Sequence, residues 1–79
     1  MNPDAKSVDE ALAYRNFEKL RFRVFSEDSN GMVYLYPDGK HAKSISWTLR
    51  VPKGDYESWG SPDSITGAQI AEYRSRLPV

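Results

Sequence analysis

The sequence predicts an α+β domain with the element order α-β-β-β-α. Two segments with helical periodicity, each opened by a capping motif, flank a central stretch in which apolar and polar residues alternate. The change of period from 3.6 to 2 and back marks where helix gives way to strand. Because these strands are apolar on one side, we expect a three-stranded antiparallel meander with two helices packed on one face.

Length and composition limit the possible classes of protein. A chain of 79 residues fits a single small domain, 1–79, and the absence of cysteine removes any disulfide framework. With one histidine and no cysteine, we expect no metal or other cofactor. The chain also lacks a membrane-length apolar stretch and the features of a signal peptide, so we expect a cytoplasmic protein without membrane contact.

The first helix is predicted over residues 7–19, after a flexible N-terminus at residues 1–6. Ser7 and Glu10 have the spacing of a capping box, in which each side chain bonds the backbone N–H of the other residue. The apolar residues that follow lie within about 140° of a helical wheel. They are Leu12, Ala13, Phe17 and Leu20.

The three strands are predicted over residues 20–25, 32–36 and 44–51. Asn30-Gly31 is a strong hairpin signal because both residues tolerate positive φ, and Pro37-Asp38-Gly39 predicts a second tight turn. Strict alternation assigns one face to the core. Its residues are Phe22, Val24, Val33, Leu35, Ile45, Trp47, Leu49 and Val51.

Residues 52–63 are rich in proline, glycine, serine and acid, which indicates a loop. Trp59 in this loop is expected to fold back over the edge of the core. The second helix should begin at a capping box formed by Thr66 and Gln69. Its buried stripe is predicted to be Ile70, Tyr73 and Leu77, and Pro78 is expected to end it.

The opposite face of the meander is the candidate binding surface. Alternation places arginines and large apolar or aromatic residues on it: Arg21, Arg23, Phe25, Met32, Tyr34, Tyr36 and Arg50. These residue types are enriched at the cores of protein interfaces. Tyrosines with arginines between them can also stack bases and neutralise phosphates. A third interpretation is a solvated sheet surface covered by arginine–tyrosine pairs.

The charge distribution bears on the choice between these partners. The formal net charge is zero, although residues 15–53 carry eight basic and four acidic residues and the flanking segments are acidic. A nucleic-acid-binding domain usually has a clear basic excess. The leading hypothesis is therefore a small non-enzymatic interaction module that binds a protein partner or itself. Its size is typical of accessory or inhibitor proteins of bacteria and phages. The alternative is a single-stranded nucleic-acid binder.

Catalysis is the weakest of the hypotheses. His41 is the only histidine, and its position between Lys40 and Lys43 makes it a candidate general base of a small ribonuclease. The order α-β-β-β-α is similar to that of the double-stranded RNA-binding domain and of small ribonuclease toxins, but no site residues carry over. The acidic residues considered for a two-carboxylate site all fall in turns or loops: Asp28, Asp38, Asp55 and Glu57. We therefore expect no enzyme.

Overall fold

Five strands form one mixed sheet in a computed structural model that describes residues 4–43 and 45–76. The strands are β1 (Ala5–Lys6), β2 (Arg21–Glu27), β3 (Met32–Asp38), β4 (Thr48–Pro52) and β5 (Ser64–Thr66). Their order across the sheet is β1-β4-β3-β2-β5. The three α-helices are α1 (Val8–Leu12), α2 (Lys53–Ser58) and α3 (Gly67–Ser75), of which α3 is the longest. The class is α+β, as predicted.

The predicted antiparallel arrangement of three strands forms the centre of this sheet. The predicted tight turn at Pro37-Asp38-Gly39 was wrong, because Pro37 and Asp38 pair with β2 as part of β3 and β4 begins only at Thr48. β3 pairs antiparallel with β2 on one side and with β4 on the other, so that Val24 lies opposite Leu35 and Leu35 opposite Leu49. The third strand is shorter than predicted, because the paired segment is Thr48–Pro52 and not 44–51. The alternation of apolar and polar residues extends beyond β4, because Ile45 and Trp47 pack in the core although they are not paired as strand residues. Ser44 lies outside the described residues.

The prediction of three strands was wrong, because a short strand is added at each edge. β1 pairs parallel with β4, and the Thr48 N–H donates to the Asp4 carbonyl at 2.8 Å. β1 lies within residues 1–6, which were predicted to be a flexible N-terminus. Residues 1–3 of that segment lie outside the described part of the chain. β5 pairs antiparallel with β2 and places Ile65 opposite Phe22. Strands of two and three residues are too short to show a period of 2.

The first helix was predicted too long. α1 ends at Leu12, and a separate 3₁₀ turn spans Phe17–Lys19. Asn16 has a left-handed backbone (φ 65°) that is incompatible with a continuous helix. The periodicity continued past the break because Phe17 and Leu20 still point into the core. The Ser7–Glu10 capping box is present, as predicted.

The segment predicted as a loop, 52–63, contains helix α2. Trp59 follows this helix and is buried, as predicted. The Thr66–Gln69 capping box at the start of α3 is also confirmed. Ile70 is fully buried and Tyr73 packs against the core, whereas Leu77 and Pro78 lie outside the described residues.

The core lies between the apolar side of the sheet and the helical segments. Phe22, Leu35 and Leu49 from the sheet belong to one buried cluster with Ala11 of α1 and Ile70 of α3. Burying a leucine, isoleucine or phenylalanine side chain stabilises the fold by about 1.5–3 kcal/mol. Across residues 4–43 and 45–76, the helices are all too short to cross a membrane.

Candidate functional site

The other side of the sheet, which we call the open face, carries the seven predicted residues: Arg21, Arg23, Phe25, Met32, Tyr34, Tyr36 and Arg50. The strand register brings them together, since Arg23 lies opposite Tyr36 and Tyr34 lies opposite Arg50. The three arginines are exposed, and Phe25 and Tyr36 keep 52% and 38% of their surface accessible. Met32 and Tyr34 are half-buried.

A β-bulge places Phe25 on the open face. The register between β2 and β3 shifts between Val24 and Ser26, so that Phe25 is the extra residue without a paired partner on β3. A bulge bends its strand and re-aims the side chain at that position. Strict alternation assigned Phe25 to the correct face, but it did not reveal the bulge.

Phe25 is the centre of a small aromatic cluster on this face. Its ring centroid lies 5.8 Å from that of Tyr36 and 6.3 Å from that of Tyr34. The interplanar angles, 60° and 53°, are those of tilted pairs. Such pairs present ring edges as well as ring faces to the outside. The cluster is therefore an apolar surface of irregular shape and not a flat platform.

Asp28 fixes one end of the cluster from the β2–β3 turn. Its Oδ1 accepts hydrogen bonds from the Asn30 and Met32 N–H groups at 2.9 and 3.0 Å. Its Oδ2 accepts one from the Tyr34 hydroxyl at 2.9 Å. The pKa of Asp28 is lowered, chiefly by the bond from Met32 and further by those from Tyr34 and Asn30. The pKa of Tyr34 is raised, chiefly by its bond to Asp28.

Sequence reasoning treated Asp28 as a turn residue and missed its role on the open face. The available signal was an aspartate two residues before Asn30 in a hairpin turn, a position from which aspartate often bonds the backbone two residues on. The hydrogen bond from Tyr34 to Asp28 depends on the length of the hairpin. That length determines how far the Tyr34 hydroxyl, in the middle of β3, lies from the turn.

A concavity of about 450 Å³ lies beside the cluster, between β1 and the β2–β3 hairpin. Its lining residues are Ala5, Phe25, Ser26, Asp28, Tyr34, Thr48 and Arg50. Arg50 makes no ion pair within 4.0 Å among the described residues. Its positive charge nevertheless helps to lower the pKa of Asp28. Ala5 forms part of the wall only because β1 is present, so the sequence did not predict this concavity.

The other two arginines lie on β2, away from the concavity. Arg23 approaches Asp38 at 3.9 Å, and both side chains are about half exposed. Arg21 is exposed and lies opposite Asp38 on β3 and Thr66 on β5. An ion pair of this length between exposed groups contributes little to stability. Both guanidinium groups are therefore accessible to a partner.

A second concavity, of about 360 Å³, lies where the ends of the helices meet the sheet. Val8, Met32 and Trp59 contribute apolar surface to it. At its rim, Arg74 of α3 donates two hydrogen bonds to the Asp9 carboxylate at 2.9 and 3.2 Å. This ion pair connects α3 to α1 and lowers the pKa of Asp9. The sequence predicted both helices on one face of the sheet, but it did not indicate this ion pair.

Of the residues considered for catalysis, Asp28 and Asp38 lie on the open face. His41 is exposed in a 3₁₀ turn, Lys40–Ala42. Asp38 is the last residue of β3, and its side chain accepts a hydrogen bond from the Gly39 N–H at 2.8 Å. Within the described ranges, histidine, aspartate and glutamate side chains form no group of three that could hold a metal ion.

Comparison of the chain with protein-family models, with curated proteins and with solved structures gives no match.

Proposed function

We propose that the protein is a small interaction module that binds a protein partner, or a second copy of itself, through the open face. The observation that carries this proposal is the exposure of Phe25 and Tyr36 in one cluster flanked by arginines. Exposed apolar surface costs free energy in water, and burial at an interface recovers about 25 cal/mol per Å². We further propose that it acts in the cytoplasm and without catalysis.

The fixed geometry of the cluster supports a binding role. Tyr34 is held by Asp28, and Asp28 is held by the backbone of its own turn. Side chains that are already ordered lose little conformational entropy when they bind. Aromatic and arginine side chains arranged in this way are the usual energetic centres of protein interfaces.

Two features favour a protein partner over single-stranded nucleic acid. The rings of the cluster are tilted against each other, so they offer less flat surface for stacking bases. The open face also holds the acidic groups of Asp28 and Asp38, and the net charge of the chain is zero. Binding to a phosphate backbone depends on basic excess. The nucleic-acid alternative rests on the three exposed arginines.

The experiment is a comparison of three baits in cell extract: wild type, Phe25→Ser/Tyr36→Ser, and Tyr14→Ser. Tyr14 is 41% exposed, close to the 38% of Tyr36, but lies between α1 and the first 3₁₀ turn. It is therefore a control of matched chemistry at another place. We expect wild type and the Tyr14 variant to retain the same proteins and the double variant to lose them.

Light scattering on the same three proteins tests self-association. If the partner is a second copy, wild type and the Tyr14 variant will form dimers that the double variant does not form. If all three baits retain the same proteins and have the same oligomeric mass in solution, the open face is not the binding surface. Binding of labelled single-stranded DNA or RNA at low salt, lost only in the double variant, would instead support the alternative.

A further inference from the structure

We infer that the concavity beside Arg50 receives a carboxylate side chain of the partner, next to a large apolar side chain that covers Phe25. This inference rests on the proposed function, because it concerns the same face and names the chemistry of its partner. It predicts a partner whose docking surface carries aspartate or glutamate beside an apolar residue.

The charges that line the concavity support an anionic ligand. Its two ionisable groups with full charge at neutral pH are Arg50 and Asp28. Asp28 already accepts three hydrogen bonds, two from backbone N–H groups and one from Tyr34. The exposed guanidinium of Arg50 forms no ion pair with the described residues. Arg50 also interacts with the Tyr34 hydroxyl and limits the rise of that residue's pKa. A guanidinium carries five N–H donors, so Arg50 still has donors left for a ligand.

Arginine can hold a carboxylate with two parallel N–H···O bonds, which adds direction as well as strength. Thr48 and Ala5 line the concavity on the side of β1 and β4, where the Thr48 N–H is bonded to the Asp4 carbonyl. We expect the ligand to extend to the opposite side, which is formed by the β2–β3 hairpin. There it meets the exposed ring of Phe25, which accepts apolar surface and not a second charge.

A carboxylate fits this arrangement better than a phosphate group. A phosphate carries more charge and usually needs several cations or a set of backbone N–H donors. The concavity holds one cation, and the carboxylate of Asp28 lies in its wall. A ligand with a single negative charge matches this single cation.

The test uses three small probes with the same aromatic group and different charge: 3-phenylpropionate, its neutral amide, and 2-phenylethylamine. Each is titrated into the isotope-labelled full chain while the backbone amide signals are recorded by NMR. We expect 3-phenylpropionate to shift the amides of Phe25, Tyr34 and Thr48 and to bind at least about fivefold more tightly than the amide. A charge-assisted hydrogen bond is roughly twice as strong as a neutral one.

Two variants distinguish binding at Arg50 from a general attraction of anions to the positive charges of the protein. Arg50→Gln removes the charge and should abolish the preference for the carboxylate over the amide. Arg21→Gln removes an exposed arginine outside the concavity and should leave that preference unchanged. Equal affinity for the three probes, or an equal loss in both variants, would overturn the inference. Tighter binding of a thymidine pentanucleotide at the same amides would overturn it in favour of nucleic acid.

Failure here is distinct from failure of the proposed function. If the probes bind without preference but the Phe25→Ser/Tyr36→Ser bait still loses its partner, the open face remains an interface and only the carboxylate is wrong. If the bait retains its partner, the interface itself is wrong, whatever the probes do.

Discussion

The Tyr34 hydroxyl donates a hydrogen bond to Asp28 Oδ2 at 2.9 Å, which connects the middle of β3 to the turn that precedes it. The same carboxylate accepts the Met32 N–H, so strand, turn and aromatic cluster are held by one group. The bond adds to the strand pairing, because it fixes the Tyr34 ring relative to the β2–β3 turn. The link makes Asp28 a positioning residue of the open face.

Replacing Tyr34→Phe removes the hydroxyl and keeps the ring. Asp28 then loses one of its three donors, so we expect the pKa of its carboxyl to rise towards its ordinary value of 3.8. We expect only a small loss of stability, because the donors from Asn30 and Met32 remain. A carboxyl-carbon NMR titration of the wild type and the variant measures the pKa. An unchanged pKa of Asp28 would show that the bond is absent in solution.

Replacing Asp28→Asn tests the same link through the pH dependence of stability. The pKa of Asp28 is lowered in the folded chain, so its ionised form adds stability above pH 3.8. That contribution is lost as the pH falls through the folded-state pKa. The neutral variant should therefore lose less stability than wild type between about pH 6 and about pH 3. Urea unfolding of both proteins at both pH values gives the stability that each loses. Equal losses in wild type and variant would contradict the role of the Asp28 carboxylate.

Gly67 at the start of α3 should be intolerant of any side chain. A Cβ at this position would lie 1.9 Å from the carbonyl oxygen of Phe17, and the Gly67 N–H donates to Leu20 at 2.8 Å. A shift of Gly67 that relieves the clash would strain its hydrogen bond to Leu20. We expect Gly67→Ala to lower the free energy of unfolding by about 3 kcal/mol or more, which is a large share for a chain of this size.

The matched control is Gly54→Ala in α2. A Cβ at Gly54 would meet no atom within 4 Å, and alanine favours helix over glycine by about 0.5–1 kcal/mol. This variant should therefore be as stable as wild type or slightly more stable. Urea unfolding measures both variants. Equal effects of the two substitutions would mean that α3 does not approach Phe17 this closely.

Removing residues 1–6 tests the parallel strand β1. The Thr48 N–H, which is bonded to Asp4, would lose its partner, and the edge of β4 would be exposed. Because water can bond the newly exposed edge, the loss of this hydrogen bond should cost about 0.5–1.5 kcal/mol. We expect a lower unfolding midpoint and faster hydrogen exchange at the Thr48 amide. If residues 1–6 are instead a flexible tail, neither the midpoint nor the exchange rate at Thr48 will change.

Local signals in the sequence predicted the features that depend on a few neighbouring residues. The capping boxes at Ser7 and Thr66 are such features, because each involves groups three residues apart. The central meander was also predictable, since each of its strands has an apolar side that must be buried. The open face followed from the same alternation.

Features that depend on distant partners were not predictable. β1 exists because Ala5 finds Thr48 across more than forty residues, and two residues carry no period of their own. The break at Asn16 was hidden because both flanking segments contribute to the core. In the site, the bulge at Phe25 and the wall formed by β1 are likewise products of pairing, so the concavity beside Arg50 could be recognised only in the folded chain.

The central claim is that the open face contacts a protein, and site-specific photo-crosslinking tests it most directly. A photoreactive benzoylphenylalanine replaces one aromatic residue at a time in the source cells: Phe25, Tyr36, or the off-face control Tyr14. We predict a discrete crosslinked species of defined mass from Phe25 and Tyr36 and none from Tyr14. Crosslinks from Tyr14 alone, or the same crosslinks from all three positions, would contradict the claim.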